Sequence, residues 1–304
     1  MDKPEKIELN TALKNTTMFL SSEQIESNIA DLIQKTVDKM KNQLSQIGSM
    51  DGLKSFINGN PKSIDMLITL LGISEEKFKR VVSWVRISMG YTFDSEWTPS
   101  ATRNKLIDNE ALLNDFCELF TCGYRLEKFT SIIPAFILED FKIDENILAR
   151  LNNDAFIRPL VKSKLQADYN GQCCNYYYDL LSSRITSILS NYGLEYQRDT
   201  TLPFFKGNVN VIEFNGRSII IAPHYYTTTS SSQTKYADDF ISKLYQSIRG
   251  RDEYILVNIL DGAGWVGRAA DYRKVYADCH YFLNLKTIES LRNIIEQHLK
   301  ITAP

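Results

Sequence analysis

Apolar positions repeat along this chain in two different rhythms. In the first half the spacing is helical. Residues 25–47 carry Ile29, Leu32, Ile33, Val37, Met40 and Leu44 at three- and four-residue steps, behind a capping start at Ser21-Ser22-Glu23-Gln24. Similar patterns cover residues 61–71, 75–89, 109–120, 125–138 (interrupted by Pro134) and 145–152. Residues 91–105 are polar and aromatic and predict a long loop. In the second half the rhythm changes. A helix over 176–191 places Tyr177, Leu180, Leu181, Ile185, Ile188 and Leu189 inward, and a short strand over 195–197 follows. Residues 209–214 and 218–222 are β-rich runs separated by Asn215-Gly216, a dipeptide suited to a tight hairpin turn because both central positions need positive φ. The hydroxyl-rich residues 227–234 predict a loop and 235–249 a helix. Residues 254–260, YILVNIL, form the continuous apolar run of a strand covered on both faces. A glycine-bracketed loop (261–265), a helix (268–277), a strand (280–283) and a last helix (287–299) complete the pattern. A helical domain over 1–153 and an α/β domain over 154–304 are expected.

The 304 residues are 43% apolar and 24% charged, the composition of an ordinary globular protein. A formal charge of −2 gives no whole-chain nucleic-acid signal, so any basic surface must be local. No apolar run approaches the ~18 residues of a membrane span, and the polar first ten residues precede no apolar h-region, so neither a membrane partner nor a signal peptide is expected. Five cysteines without framework spacing suggest reduced thiols and a cytoplasmic location. Adjacent Cys173-Cys174 lacks the spacing and histidine partners of a metal site.

One local basic feature stands out. Residues 61–71, Gly72-Ile73-Ser74 and 75–89 have the shape of a helix-turn-helix, with Gly72 fitting a left-handed turn and Ser74 capping the second helix. Lys77, Lys79, Arg80 and Arg86 on that second helix are candidate nucleic-acid contacts. The same residues also fit an αα-hairpin with a solvated charged face. Tyr176-Tyr177-Tyr178 could stack on bases, although on a helix the three diverge and the core takes at least one. The loop DGAGW follows a strand but lacks the patterns of a phosphate cradle, which leaves a tight strand-to-helix turn with Trp265 packed on the sheet.

The order α-β-β-β-α-β resembles the core of the PD-(D/E)XK nucleases. Residues 259–265 (ILDGAGW) and 280–297 (HYFLNLKTIESLRNIIEQ) make the resemblance specific. Over about 155–300 the chain resembles the type II restriction endonucleases of the DpnII/MboI kind, which cleave GATC sites. The resemblance implies a mixed-sheet α/β restriction-endonuclease-like core, double-stranded DNA as partner, Mg²⁺ as cofactor where an active site survives, and a homodimer or a heterodimer with an active nuclease.

The departures fall at the chemical positions. Mg²⁺-dependent phosphodiester cleavage uses hard oxygen ligands, usually carboxylates. Where the resemblance implies the first Asp stands Asn210, where it implies the Glu stands Ala222, and two residues on stands His224. Ile220, Ala222 and His224 share one strand face, and strand parity turns Glu213 away from Asn210. The family's Gly/Ser loop becomes Thr227-Thr228-Thr229-Ser230, its lysine becomes Ser232, and its basic approach to the preceding helix becomes Cys173, Cys174 and Asn175. Asp179 remains as the acid of that helix. The expectation is a restriction-endonuclease-like DNA-binding protein of a defence system that does not cut alone and needs no metal. Two alternatives are an active nuclease drawing on His224, Asp179, Glu213 or Asp199, and a pseudonuclease that acts as a protein-interaction subunit.

Overall fold

Five strands form one sheet in sequence order: β1 (Gln197–Leu202), β2 (Phe205–Phe214), β3 (Arg217–Tyr225), β4 (Tyr254–Asp261) and β5 (Tyr281–Leu283). The computed structural model describes residues 6–88, 90 and 96–303. β1, β2 and β3 pair antiparallel, whereas β3–β4 and β4–β5 are parallel, so the sheet is mixed. The Asn-Gly turn forms as the pattern predicts, with φ of 48° at Asn215 and 76° at Gly216. The chain divides into two compact units, Met1–Ile25 with Asp168–Pro304, and Glu26–Ala167. The first 25 residues therefore belong with the sheet, an assignment that a single cut after residue 153 does not contain.

The sheet is sandwiched by helices on both faces. Ile212, Ile219, Ile221, Val257 and Ile259 pack on one face against Tyr177, Leu181, Ile185 and Ile188 of the long helix Gln166–Ser190, and against the last helix, Leu291–Leu299. On the other face Val209, Val211, Ile220, Ala222, Leu256 and Leu260 meet the helical run 231–248, the helix Ala269–Ala277 and Ala12 of the short helix Leu9–Asn15. Every residue from Ile255 to Asp261 on β4 is buried, which explains its unbroken apolar run.

Several boundaries differ from the pattern. β1 runs beyond the expected strand at 195–197, because Thr200 and Thr201 pair with Val209 and Asn208 across an irregular register. The helix expected from 176 begins at Gln166. Residues 231–235 are helical, opened by a Ser230–Gln233 capping box within the expected loop. Residues 91–95 and Met89 lie outside the described residues, but Pro99–Ile107, within the expected loop, is a helix with Thr98 capping Ala101 and Pro99 in its first turn.

In the helical unit, Phe78, Phe116, Phe120 and Phe141 form a chain of ring contacts 4.8–6.1 Å apart. The predicted helix pair is present: Ser63–Leu71 ends at Gly72 (φ 65°), and Ser74 caps Glu75–Ser88 by accepting the Lys77 N–H at 3.1 Å.

Asp261, at the end of β4, ties the sheet unit together. Its fully buried carboxylate accepts hydrogen bonds from the Thr17 N–H (2.7 Å), the Leu285 N–H (2.7 Å) and the Tyr177 hydroxyl (3.1 Å). The next residue, Gly262, turns at φ 106°, where a Cβ would collide with the Tyr226 carbonyl, and donates its N–H to Thr17 O at 2.9 Å. Burial pushes the Asp261 carboxyl up to about 6, outweighing its three donors. Because the folded value lies above the ordinary carboxylate value, the contribution is fully present below about pH 4 and is lost as the pH rises through about 6. Asp261→Ala strands three donors and should cost about 3 kcal/mol or more in denaturant unfolding. The stability advantage of wild type over the non-titrating Asp261→Asn should shrink between pH 4 and 7, and an advantage independent of pH would contradict the raised carboxyl value.

Candidate functional site

Where β1, β2 and β3 leave the helices, the sheet unit opens into a cleft of about 280 Å³. Its floor is Asn208, Val209 and Asn210 of β2 with Ile221, Ala222 and Pro223 of β3. Tyr178, Leu181 and Ser182 of the long helix form one wall, Tyr196, Arg198 and Asp199 a second, and Tyr236 with Phe240 a third. The third wall belongs to a π-helical stretch, Tyr236–Ser242, inside the run 231–248; such stretches recur at functional sites.

The structure brings Asn210 and Ala222 to the same cleft but not to the same face. Asn210 pairs with Ile221, and by the strand period it shares the face of Ile212. Ala222 lies with Val209, Val211 and Ile220 on the opposite face. The two side chains therefore leave the sheet on opposite faces. The Asn210 amide is held loosely: its oxygen accepts the Asp199 N–H at 3.4 Å and its nitrogen donates to Ile221 O at 3.5 Å. Asp199 sits at positive φ (54°) and supplies the carboxylate of the cleft lining.

His224 is not presented to the cleft. Its ring stacks on Tyr226 at 4.4 Å, meets Tyr236 edge-on at 3.9 Å and lies 5.8 Å from Trp265. Nδ1 is sealed from solvent without a hydrogen-bond partner. The aromatic cage has the geometry of a packing site, and it sets the ring apart from any reacting group. Asp179 is exposed and lies outside the cleft lining, one residue beyond Tyr178. Glu213 is also exposed, and its carboxylate accepts from the Ser218 hydroxyl at 3.5 Å.

The cleft is a poor match for Mg²⁺. Its lining combines a single carboxylate with two amides, and among the described residues no group of three or more His, Cys, Asp or Glu is placed to hold a metal ion. It is better equipped for a planar polar ligand, with ring faces, amides, a hydroxyl and a guanidinium around one space. Sequence reasoning singled out Asn210, Ala222 and Asp199 but missed Asn208, Ser182, Tyr196, Arg198, Tyr236 and Phe240. The tyrosine triplet was a partial signal: Tyr178 reaches the cleft, while Tyr177 is buried against Asp261 and stacks on Tyr225 at 4.7 Å.

The candidate nucleic-acid residues of the helical unit occupy a different setting from the one the helix-turn-helix reading implies. Lys77 pairs with Asp140, Lys79 with Glu75 (2.8 Å) and Glu76 (3.6 Å), and Arg80 with Glu96 and Glu76. Arg86 is buried at 1% exposure under the Trp97 ring, 5.3 Å from its centroid, so it does not offer a phosphate contact. The other three would have to exchange acidic partners for phosphates.

The five-stranded mixed sheet with helices on both faces is a restriction-endonuclease-like α/β unit. Residues 155–296 match the model of the DpnII restriction endonuclease family. No curated protein and no solved structure matches the chain. Among the described residues no helix is long and apolar enough to cross a membrane.

Burial lowers His224 from the ordinary 6.5 to about 4. Since the folded value is depressed, the neutral ring stabilises the fold fully above about pH 6.5, and that contribution is lost as the pH falls through about 4. In an NMR titration the His224 ring should remain neutral down to about pH 5, and titration near 6.5 would contradict the caged geometry.

Proposed function

We propose that this protein binds duplex DNA as a restriction-endonuclease-like component of a defence system and does not cleave DNA by itself. The observation that carries this reading is the cleft at the hairpin. It holds Asn210 and Ala222, the positions that the resemblance equates with the family's acids, among amides, aromatic rings and the one lining carboxylate, Asp199. Cleavage through a bound metal needs several hard oxygen ligands to generate and aim a hydroxide. Asn210 and Asp199 fall short of that set, and Ala222 adds no ligand atom.

DNA binding is supported by the family match, and Arg198 at the cleft mouth is exposed and forms no ion pair among the described residues. A second reading, a subunit that engages only an active relative or another protein, is favoured by the net charge of −2 and by the acidic partners of Lys77, Lys79 and Arg80. Either reading is compatible with a homodimer or with a heterodimer containing an active nuclease.

Fluorescence anisotropy of labelled duplexes with and without GATC, titrated with the protein in Ca²⁺ at low and moderate salt, separates the two. Salt-sensitive binding is expected, since phosphate contacts release counterions, and binding to neither duplex would leave the protein-partner reading. Plasmid incubated with the protein in Mg²⁺ or Mn²⁺ should stay uncut. Cutting that disappears in Asp199→Ala would overturn the non-cleaving reading.

A further inference from the structure

The cleft has more structure than a merely eroded metal site requires. Tyr236 and Phe240 stand nearly parallel, 12° between planes and 5.4 Å between centroids, and both turn into the cleft from the π-helical stretch. Tyr196 supplies a ring on another wall. Asn208 and Asn210 lie two residues apart on β2, so the strand period gives their side chains one face. The two hydrogen bonds of Asn210, at 3.4 and 3.5 Å, are weak enough to be exchanged for a ligand's. Arg198 stands at the mouth with its guanidinium unpaired among the described residues.

These groups have complementary uses. Ring faces stack on any nucleobase. A carboxamide offers a donor and an acceptor side by side, the pair that reads a base edge. A guanidinium grips phosphate with two parallel hydrogen bonds. Replacing metal-binding carboxylates with amides removes the charge that would repel a phosphate and keeps polar atoms that can pair with a neutral base.

We propose that the cleft receives a single 5′-phosphorylated nucleotide, its base against the rings and amides and its phosphate on Arg198. The nucleotide is either extruded from a duplex or free in solution. The duplex source rests on the DNA-binding reading above; the free source does not. An extruded nucleotide pays for unstacking and unpairing, and that cost is smallest where the nucleotide is already unpaired. Asp199 is the one lining group that opposes a phosphate, so Asp199→Asn should strengthen binding.

The test uses the full chain in two arms. Anisotropy compares a perfectly paired duplex with the same duplex carrying one unpaired adenine nucleotide. Calorimetry titrates 2′-deoxyadenosine 5′-monophosphate against deoxyribose 5-phosphate, which lacks the base. The expected result is a preference of about tenfold or more for the unpaired nucleotide in the first arm, or for the nucleotide over the base-less phosphate in the second. Tyr196→Ala and Asn210→Ala should each remove that preference, and Asn210→Ala decides the matter where Tyr196→Ala does not fold. Equal affinity for the two duplexes together with no response to the mononucleotide overturns the proposal. So does a preference that survives Asn210→Ala. Binding of the mononucleotide without any duplex would sink the DNA-binding reading and leave the nucleotide site standing. Binding of both duplexes with equal affinity and no mononucleotide response would do the reverse.

Discussion

A carboxylate with no solvent and no counter-charge at its side holds the sheet unit in register. Asp261 takes one donor from the N-terminal segment, one from the long helix and one from the chain leaving β5. Its location follows from the alignment of β3 with β4, which sets Tyr225 beside Asp261 and so brings Tyr177, stacked on Tyr225, to the same carboxylate. The Gly262 turn then directs the chain under the Tyr226 carbonyl, and Trp265 closes the aromatic cage around His224. The motif that gives the chain its most specific resemblance thus has a structural duty, and its Trp265 packs edge-on against Tyr236 of the cleft wall.

The cleft sets amides, aromatic rings and one carboxylate on a restriction-endonuclease-like frame. Backbone pairing sets the frame, and the pairing of Asn210 with Ile221 does not depend on whether the side chain at 210 is an acid or an amide. The surface depends on side chains alone, so acids can be exchanged for amides and alanine while the hairpin stays intact. The His224 cage is likewise a matter of packing: the imidazole lies beside Tyr226 and Tyr236 as a flat, half-buried ring.

Elements whose signal was local were legible in the sequence. Asn215-Gly216 dictates its turn by φ, the apolar run of β4 dictates burial on both faces, and Gly72 with Ser74 marks a helix junction. Elements set by distant partners were not. β1 has the composition of a turn and becomes a strand because β2 offers it an edge. Pro99–Ile107 has almost no amphipathic pattern, and its helix is announced only by the Thr98 cap and Pro99. The site was half legible for a similar reason. Resemblance pointed to Asn210 and Ala222, but the walls of the cleft come from residues 178–182, 196–199 and 236–240, and only folding brings them together. Arg86 shows the converse: a basic residue at a plausible contact position whose neighbour Trp97 draws it into the core.

The N-terminal strap has a consequence for the order of events as the chain is made. The Lys6 ammonium donates to Cys279 O, and the Thr17 N–H to Asp261, across sequence separations of 273 and 244 residues. Residues 6–20 therefore find these partners only after β4 and β5 have been made. Between the two, the helical unit has its own phenylalanine core and can close while the strap still waits. Translation runs from one end of the polypeptide to the other, but the sheet unit is sewn shut with thread from both ends. A pause before β4 would leave residues 6–20 without the partners that bury Ala12 and Thr16 and that bond the Thr17 N–H.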